Sequence, residues 1–188
     1  MSVQTWQELL AVGVTDGPTL TAGTRASCIP TASRIVLPNS FFYVGKKIRV
    51  CLSGRISCAV TTPGAARWDI CLGSAGTTIV FDTGALNLNI VAKTTVPWFL
   101  EVPLVCRAVG NGTLTTFFPD SAFFQSEALV GSALPAAGSN GSLIVPVGTP
   151  AVGAGFDNLA ASALDVFFTQ TVATGSMTVH NFSVYAEN

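Results

Sequence analysis

Residues 47–61 read KIRVCLSGRISCAVT, and this stretch decides the fold. Ile48, Val50 and Leu52 fall on one side of an extended chain, and Lys47, Arg49, Cys51 and Ser53 fall on the other. A period of two marks a half-buried β-strand. Gly54 interrupts the run, and Ile56, Cys58 and Val60 resume it as far as Thr61. Residues 96–107, VPWFLEVPLVCR, repeat the pattern, with Trp98, Leu100, Val102, Leu104 and Cys106 on one face. The other face, Phe99, Glu101, Pro103, Val105 and Arg107, is half apolar too. Pro97 and Pro103 cannot donate to a ladder, which predicts an open edge or a bulge in this strand.

The same period recurs on either side. Trp68, Ile70 and Leu72 alternate with Arg67, Asp69 and Cys71; Thr77, Ile79 and Phe81 follow, then Leu86, Leu88 and Ile90. Gly110-Asn111-Gly112 is a hairpin signal. Further strands are expected over 113–118, 123–130, 164–171 and 177–185, where His180 alternates with Thr178, Phe182 and Val184. Residues 131–158 are dense in Gly, Ala, Pro and Ser and read as long loops around a short strand at 142–147. Nine or ten short strands predict an all-β, antiparallel β-sandwich. A jelly roll is preferred, since eight core strands and an extra hairpin match the count.

The N-terminus has a different rhythm. Thr5-Trp6-Gln7-Glu8 matches a capping box, with Thr5 as N-cap and Glu8 at N3. A short helix is therefore expected, with Trp6, Leu9 and Leu10 on one face and Gly13 at its end. Two turns of helix are not stable alone, so this one must dock. Residues 14–34 read as an extended arm. One boundary is placed near residue 30, between helix and arm (1–30) and sandwich (31–188).

Composition narrows the function. The 188 residues carry nine Lys and Arg against ten Asp and Glu, 10% charged in all, with a mean hydropathy of +0.54. A monomer of this mass exposes roughly 8,500 Å². So few charges on that area point to a subunit buried among neighbours. A hydrophobic content of 49% excludes a disordered chain. No apolar run is long enough for a transmembrane helix. The first residues, MSVQTWQELLAVG, lack the basic and apolar regions of a signal peptide. Net charge near zero provides no pull toward nucleic acid or an anionic membrane.

The charge is unevenly distributed along the chain. Residues 1–107 hold nine positive and five negative charges, net +4, and the last 81 hold five negative and none positive, net −5. Two poles would favour head-to-tail contacts between subunits. Interleaving of the two halves in a sandwich would erase them.

No catalytic constellation emerges. His180 is the sole histidine, and no GxSxG or Cys-His signature accompanies it. The acids are scattered; Asp157 and Asp165 are near in sequence but read as a loop acid and a strand acid. No glycine-rich phosphate cradle follows a strand. Cys28, Cys51, Cys58, Cys71 and Cys106 are odd in number and fit no zinc spacing. Reduced, mostly buried thiols are expected, with one disulfide as the alternative. No cofactor or metal is expected. Lys46, Lys47, Arg49 and Arg55 form a modest basic patch, either a solvated strand face or a contact for an acidic partner. Together with Trp6, Leu9 and Leu10 they are the candidate partner-contact residues. Phe117, Phe118, Phe123 and Phe124 are the candidates for a glycan-binding surface, since one ring of each adjacent pair must point away from the core.

Residues 35–61, IVLPNSFFYVGKKIRVCLSGRISCAVT, resemble a region of tailed-bacteriophage virion proteins in which an LP–aromatic–VGK stretch leads into a strand and a G-R-I-S turn. Residues 96–114, VPWFLEVPLVCRAVGNGTL, resemble the next part, a Trp-bearing strand ending in a Gly-rich hairpin. Residues 164–185, LDVFFTQTVATGSMTVHNFSVY, are similar to the closing hairpin. The resemblance covers most of the chain from residue 35 onward, and no catalytic residues carry over. It implies a jelly-roll subunit, often a homotrimer, made in the host cytoplasm. That subunit decorates or cements a capsid through the major capsid protein and copies of itself. Related folds serve as tail or fibre receptor-binding tips.

Overall fold

The computed structural model describes residues 6–58, 64–129, 141–173 and 175–187. In chain order its strands are β1 (Gln7–Val12), β2 (Ala26–Ser27), β3 (Ile35–Leu37), β4 (Lys47–Cys58), β5 (Ala65–Leu72), β6 (Thr78–Asp82) and β7 (Leu86–Asn87). They continue as β8 (Lys93–Ala108), β9 (Thr116–Pro119), β10 (Ala122–Ser126), β11 (Gly141–Val145), β12 (Ser162–Gln170) and β13 (Ser176–Glu187). A 3-10 turn over Thr31–Ser33 is the only helical element among the described residues.

All pairings are antiparallel, and one set of them is nested. β1 pairs β13, β2 and β3 pair β12, β4 pairs β8, and β5 pairs β6. The pairs β13–β4 and β12–β5 join these into two sheets. One sheet has seven strands, ordered β1-β13-β4-β8-β10-β11 with β9 also on β8; the other has six, ordered β2-β12-β5-β6 with β3 on β12 and β7 on β5.

The sheets share one apolar core. Trp68 of β5 packs against Trp98 of β8, Phe124 of β10 and Phe168 of β12, with ring centroids 5.1, 4.8 and 4.9 Å away. Toward one end, Phe42 meets Phe117 edge-on at 4.9 Å and Phe156 at 5.7 Å. The accessible surface is 8865 Å², close to the value expected from mass.

The predicted N-terminal helix is a strand. Residues 7–12 pair with β13 from Gln7↔Glu187 to Val12↔Ser183, with a bulge at Leu10. Left bare, that edge of β13 would expose a row of unpaired N–H and C=O groups. The run Leu9 to Val12 is apolar at every position, so its period does not separate helix from strand; the β13 edge does. Thr5, the expected cap, lies outside the described residues. The first 30 residues place β1 and β2 in the two sheets and Cys28 and Ile29 in the common core.

Other expectations shift locally. β4 runs through Gly54 without a break. A Cβ there would fall well inside contact of the Thr178 carbonyl oxygen, so glycine permits β13 to approach closely. The alternation expected through His180 fails because a bulge lies between Val179 and Asn181. Val179 and Phe182 both point into the core, while His180 faces out with Nδ1 2.8 Å from Asp16 Oδ1. Pro97 and Pro103 lie in an internal strand rather than at an open edge, and the expected bulge is present: the β4–β8 register shifts between Ile56↔Val96 and Cys58↔Lys93, beside Pro97. The Pro103 carbonyl accepts from Asp120 N at the gap between β9 and β10, and the Pro97 carbonyl accepts from Ser126 Oγ beyond the end of β10.

The charge halves interleave. Arg34 pairs Asp165, Lys47 pairs Asp120, Arg49 pairs Glu187 and Lys93 pairs Glu127, each joining a cation of the first half to an acid of the second. No two-pole arrangement results.

Candidate functional site

The strand that decides the fold also builds the most distinctive surface. Even-numbered residues of β4 enter the core, so Lys47, Arg49, Cys51 and Ser53 face outward. Cross-strand partners share a face, and the registers extend each outward residue into a row. Leu9, Tyr185, Arg49 and Pro103 form one row. Val12, Ser183, Cys51, Glu101, Phe123 and Ile144 form the next, across six strands. Asn181, Ser53, Phe99, Gln125 and Ser142 form the one beyond. Gln7, Glu187, Lys47 and Val105 complete the other side.

Lys47 and Arg49 are compensated by carboxylates on this face or at its rim, whereas Arg55 and Arg107 form no ion pair among the described residues. Arg49 Nη1 lies 3.4 Å from Glu101 Oε1, and Nη2 donates to Glu187 Oε1. Its guanidinium carbon sits 5.9 Å from the Tyr185 ring centroid. Partial burial works against that charge, but the two carboxylates overcome it and hold the Arg49 pKa above its ordinary value. Lys47 Nζ reaches Asp120 Oδ2 at 2.9 Å. Arg107 lies over the Phe118 ring, 3.8 Å from its centroid. Between Phe99, Pro97, Gln125 and Ser53 the surface dips into a hollow of about 320 Å³.

The candidate contact residues separate. Trp6 and Leu9 are exposed, and Leu10 packs half-buried against the core. Lys47, Arg49 and Arg55 lie on the outer face of β4, where Arg55 Nη1 reaches the Thr95 carbonyl at 3.4 Å. Lys46 does not join them. It is buried, with Nζ 3.8 Å from the Phe41 ring centroid and 5.4 Å from that of Tyr43, and desolvation lowers its pKa. Of the four phenylalanines, Phe117 and Phe124 fill the core, while Phe118 and Phe123 lie on the outer sheet face rather than on loops. Phe99, Tyr185, Glu101 and Glu187 were not singled out from the sequence. The half-apolar second face of residues 96–107 was the available signal.

The opposite sheet wears a different surface. Arg25 Nε donates to Asp69 Oδ2 at 2.7 Å, Nη2 donates to Cys71 Sγ at 2.9 Å, and the guanidinium covers the Phe167 ring at 3.7 Å. Arg67 bridges Asp69 and Asp82. Asp165 accepts from Ser27 Oγ at 2.6 Å and faces Arg34. The side chains of Arg25, Arg34 and Arg67 lie across this face with their ion pairs.

None of the five cysteines is paired. Burial pushes the thiols of Cys51, Cys71 and Cys106 up to about 11, and that of Cys28 higher. These are not activated nucleophiles. No cluster of three or more His, Cys, Asp or Glu able to hold a metal occurs among the described residues. Among the described residues no helix is long and apolar enough to cross a membrane.

No family model, curated protein or solved structure matches the chain. Geometry and chemistry must therefore carry the functional reading.

Proposed function

We propose that the chain is a non-enzymatic structural subunit of a tailed-bacteriophage virion, a decoration or cement protein on the capsid surface. In this reading it stabilises the shell by binding the major capsid protein and copies of itself, as a homotrimer, and engages neither nucleic acid nor membrane. The observation that carries it is the outer face of the seven-stranded sheet. It is broad, sets Leu9, Val12, Phe99, Val105, Phe123, Ile144 and Tyr185 among polar residues, and pairs Arg49 with Glu101 and Glu187. Exposed apolar side chains rimmed by polar ones are the mark of a protein–protein contact.

The nested pairing supports a jelly roll. With β2 and β3 as one strand, β6 and β7, which both pair β5, as another, and β9 to β11 as an excursion, eight strands remain, and numbered in chain order the sheets read 1-8-3-6 and 2-7-4-5. That order is the one produced by winding a long hairpin into a sandwich.

The test is immunogold electron microscopy of source-virus particles, using antibody raised against the purified chain. Gold over heads supports the reading. Gold at tail tips favours the receptor-binding alternative, and unlabelled particles overturn both.

A further inference from the structure

We propose that a second copy of this chain docks on the outer face of the seven-stranded sheet. This rests on the reading of the chain as an assembling subunit, though not on which particle it joins; the contact is a twofold, face-to-face pair, separate from the threefold contact a homotrimer would use.

Three observations select this face and this occupant. The first is area. The longest row crosses six strands and β4 runs from Lys47 to Cys58. At ~4.8 Å between strands and ~3.4 Å per residue the face measures roughly 24 by 34 Å, about 800 Å² before side-chain relief. A stable interface needs about 800 Å² per partner.

The second is charge. Across the four rows Lys47 and Arg49 balance Glu101 and Glu187, and Arg49 bridges both carboxylates. Within these rows two such faces meet without stranding an unpaired ion, and Arg55 and Arg107 lie beyond them, toward the two ends of the sheet. A basic or acidic partner would find no unpaired charge in the rows themselves. A copy of the same face fits it, with Tyr, Phe and Arg at the centre, the residue types that dominate interface energetics.

The third is relief. Leu9 and Val12 stand 52% and 47% exposed at the β1 side, while the hollow beside Phe99 lies across the sheet on β8 and β10. Apolar projections at one side and an apolar hollow at the other suit symmetric pairing, in which each copy supplies both. The six-stranded sheet offers no equivalent, because Arg25 and its ion pairs already lie across it.

The experiment combines sedimentation-velocity measurements over a concentration series with alkylation of Cys51. Cys51 sits in the six-strand row with Val12 and Glu101 and is half-buried, whereas the other four thiols are buried. The full chain should self-associate. Phe99→Glu and Val12→Glu, both outside the core, should each weaken association at least tenfold while leaving the thermal transition in place. Leu159→Glu, at an exposed apolar position off this face, should leave association unchanged. Maleimide should label Cys51 at least tenfold more slowly in the associated wild type than in dissociated Phe99→Glu protein. A wild type that stays monomeric throughout overturns the docking proposal, as does association unaffected by both face variants or equal Cys51 labelling. The virion reading is judged separately by the immunogold result, so the two can fail independently.

Discussion

At the residue scale, two positions show how local chemistry supports the sandwich. Gly54 faces the Thr178 carbonyl across the β13 bulge with no room for a Cβ. Gly54→Ala should cost about 1–3 kcal/mol through overpacking. The check is urea unfolding, with a lower midpoint and an unchanged slope. Asp165 is the second. Burial pushes its pKa above the ordinary 3.8, against the opposing pull of Ser27 Oγ, Arg34 and the Val166 amide. A carboxyl raised in the folded state holds its proton more firmly there than in the unfolded chain. Stability contributed by that group therefore falls as pH rises through the interval just above 3.8. Asp165→Asn abolishes this titration. The stability of the variant relative to wild type should rise between about pH 3.5 and pH 6. A difference that stays flat over that range, measured by denaturation at stepped pH, would contradict the assignment.

At the element scale, the N-terminal segment is the most consequential revision. A chain whose first 30 residues were a detachable arm would fold without them. Here β1 closes the β13 edge, the Leu20 amide and carbonyl exchange hydrogen bonds with Met177, and Ile29 is fully buried. Burial of Ile29 alone is worth about 2–5 kcal/mol, a large share of a typical domain stability of about 5–15 kcal/mol. The fragment 31–188 should therefore lack a cooperative thermal transition, whereas removal of residues 1–5 should leave it. Calorimetry of both truncations decides. The strands 47–58 and 93–108 were legible because their alternation is long and their partners bury only one face. β1 was not, because four consecutive apolar residues carry no period. Nor was the phase at His180, because an inserted bulge residue leaves no mark in a run of alternating letters.

At the scale of the whole molecule, β1 pairs with β13 and β2 with β12, so the chain must bring its two ends together. Such non-local pairing is slow, and refolding is expected in milliseconds to seconds. Trp68 and Trp98, buried in the core, report it by stopped-flow fluorescence; full recovery within microseconds would contradict this topology-limited rate. The same interleaving explains the charge pattern. A run without Lys or Arg after Arg107 suggests poles in one dimension, yet each sheet mixes strands from both halves and sets cation beside acid.

What the sequence by itself determined is the all-β class, the inward faces of β4, β5, β8 and β12, and the scarcity of charge. These follow from local period and composition, which need no knowledge of neighbours. The tertiary structure alone decided that residues 7–12 are a strand, that Lys46 is buried, and that Arg49, Glu101, Glu187, Tyr185, Phe99 and Phe123 share one surface. Those outcomes depend on register between strands far apart in the chain, and register is set by which edges and faces remain to be covered.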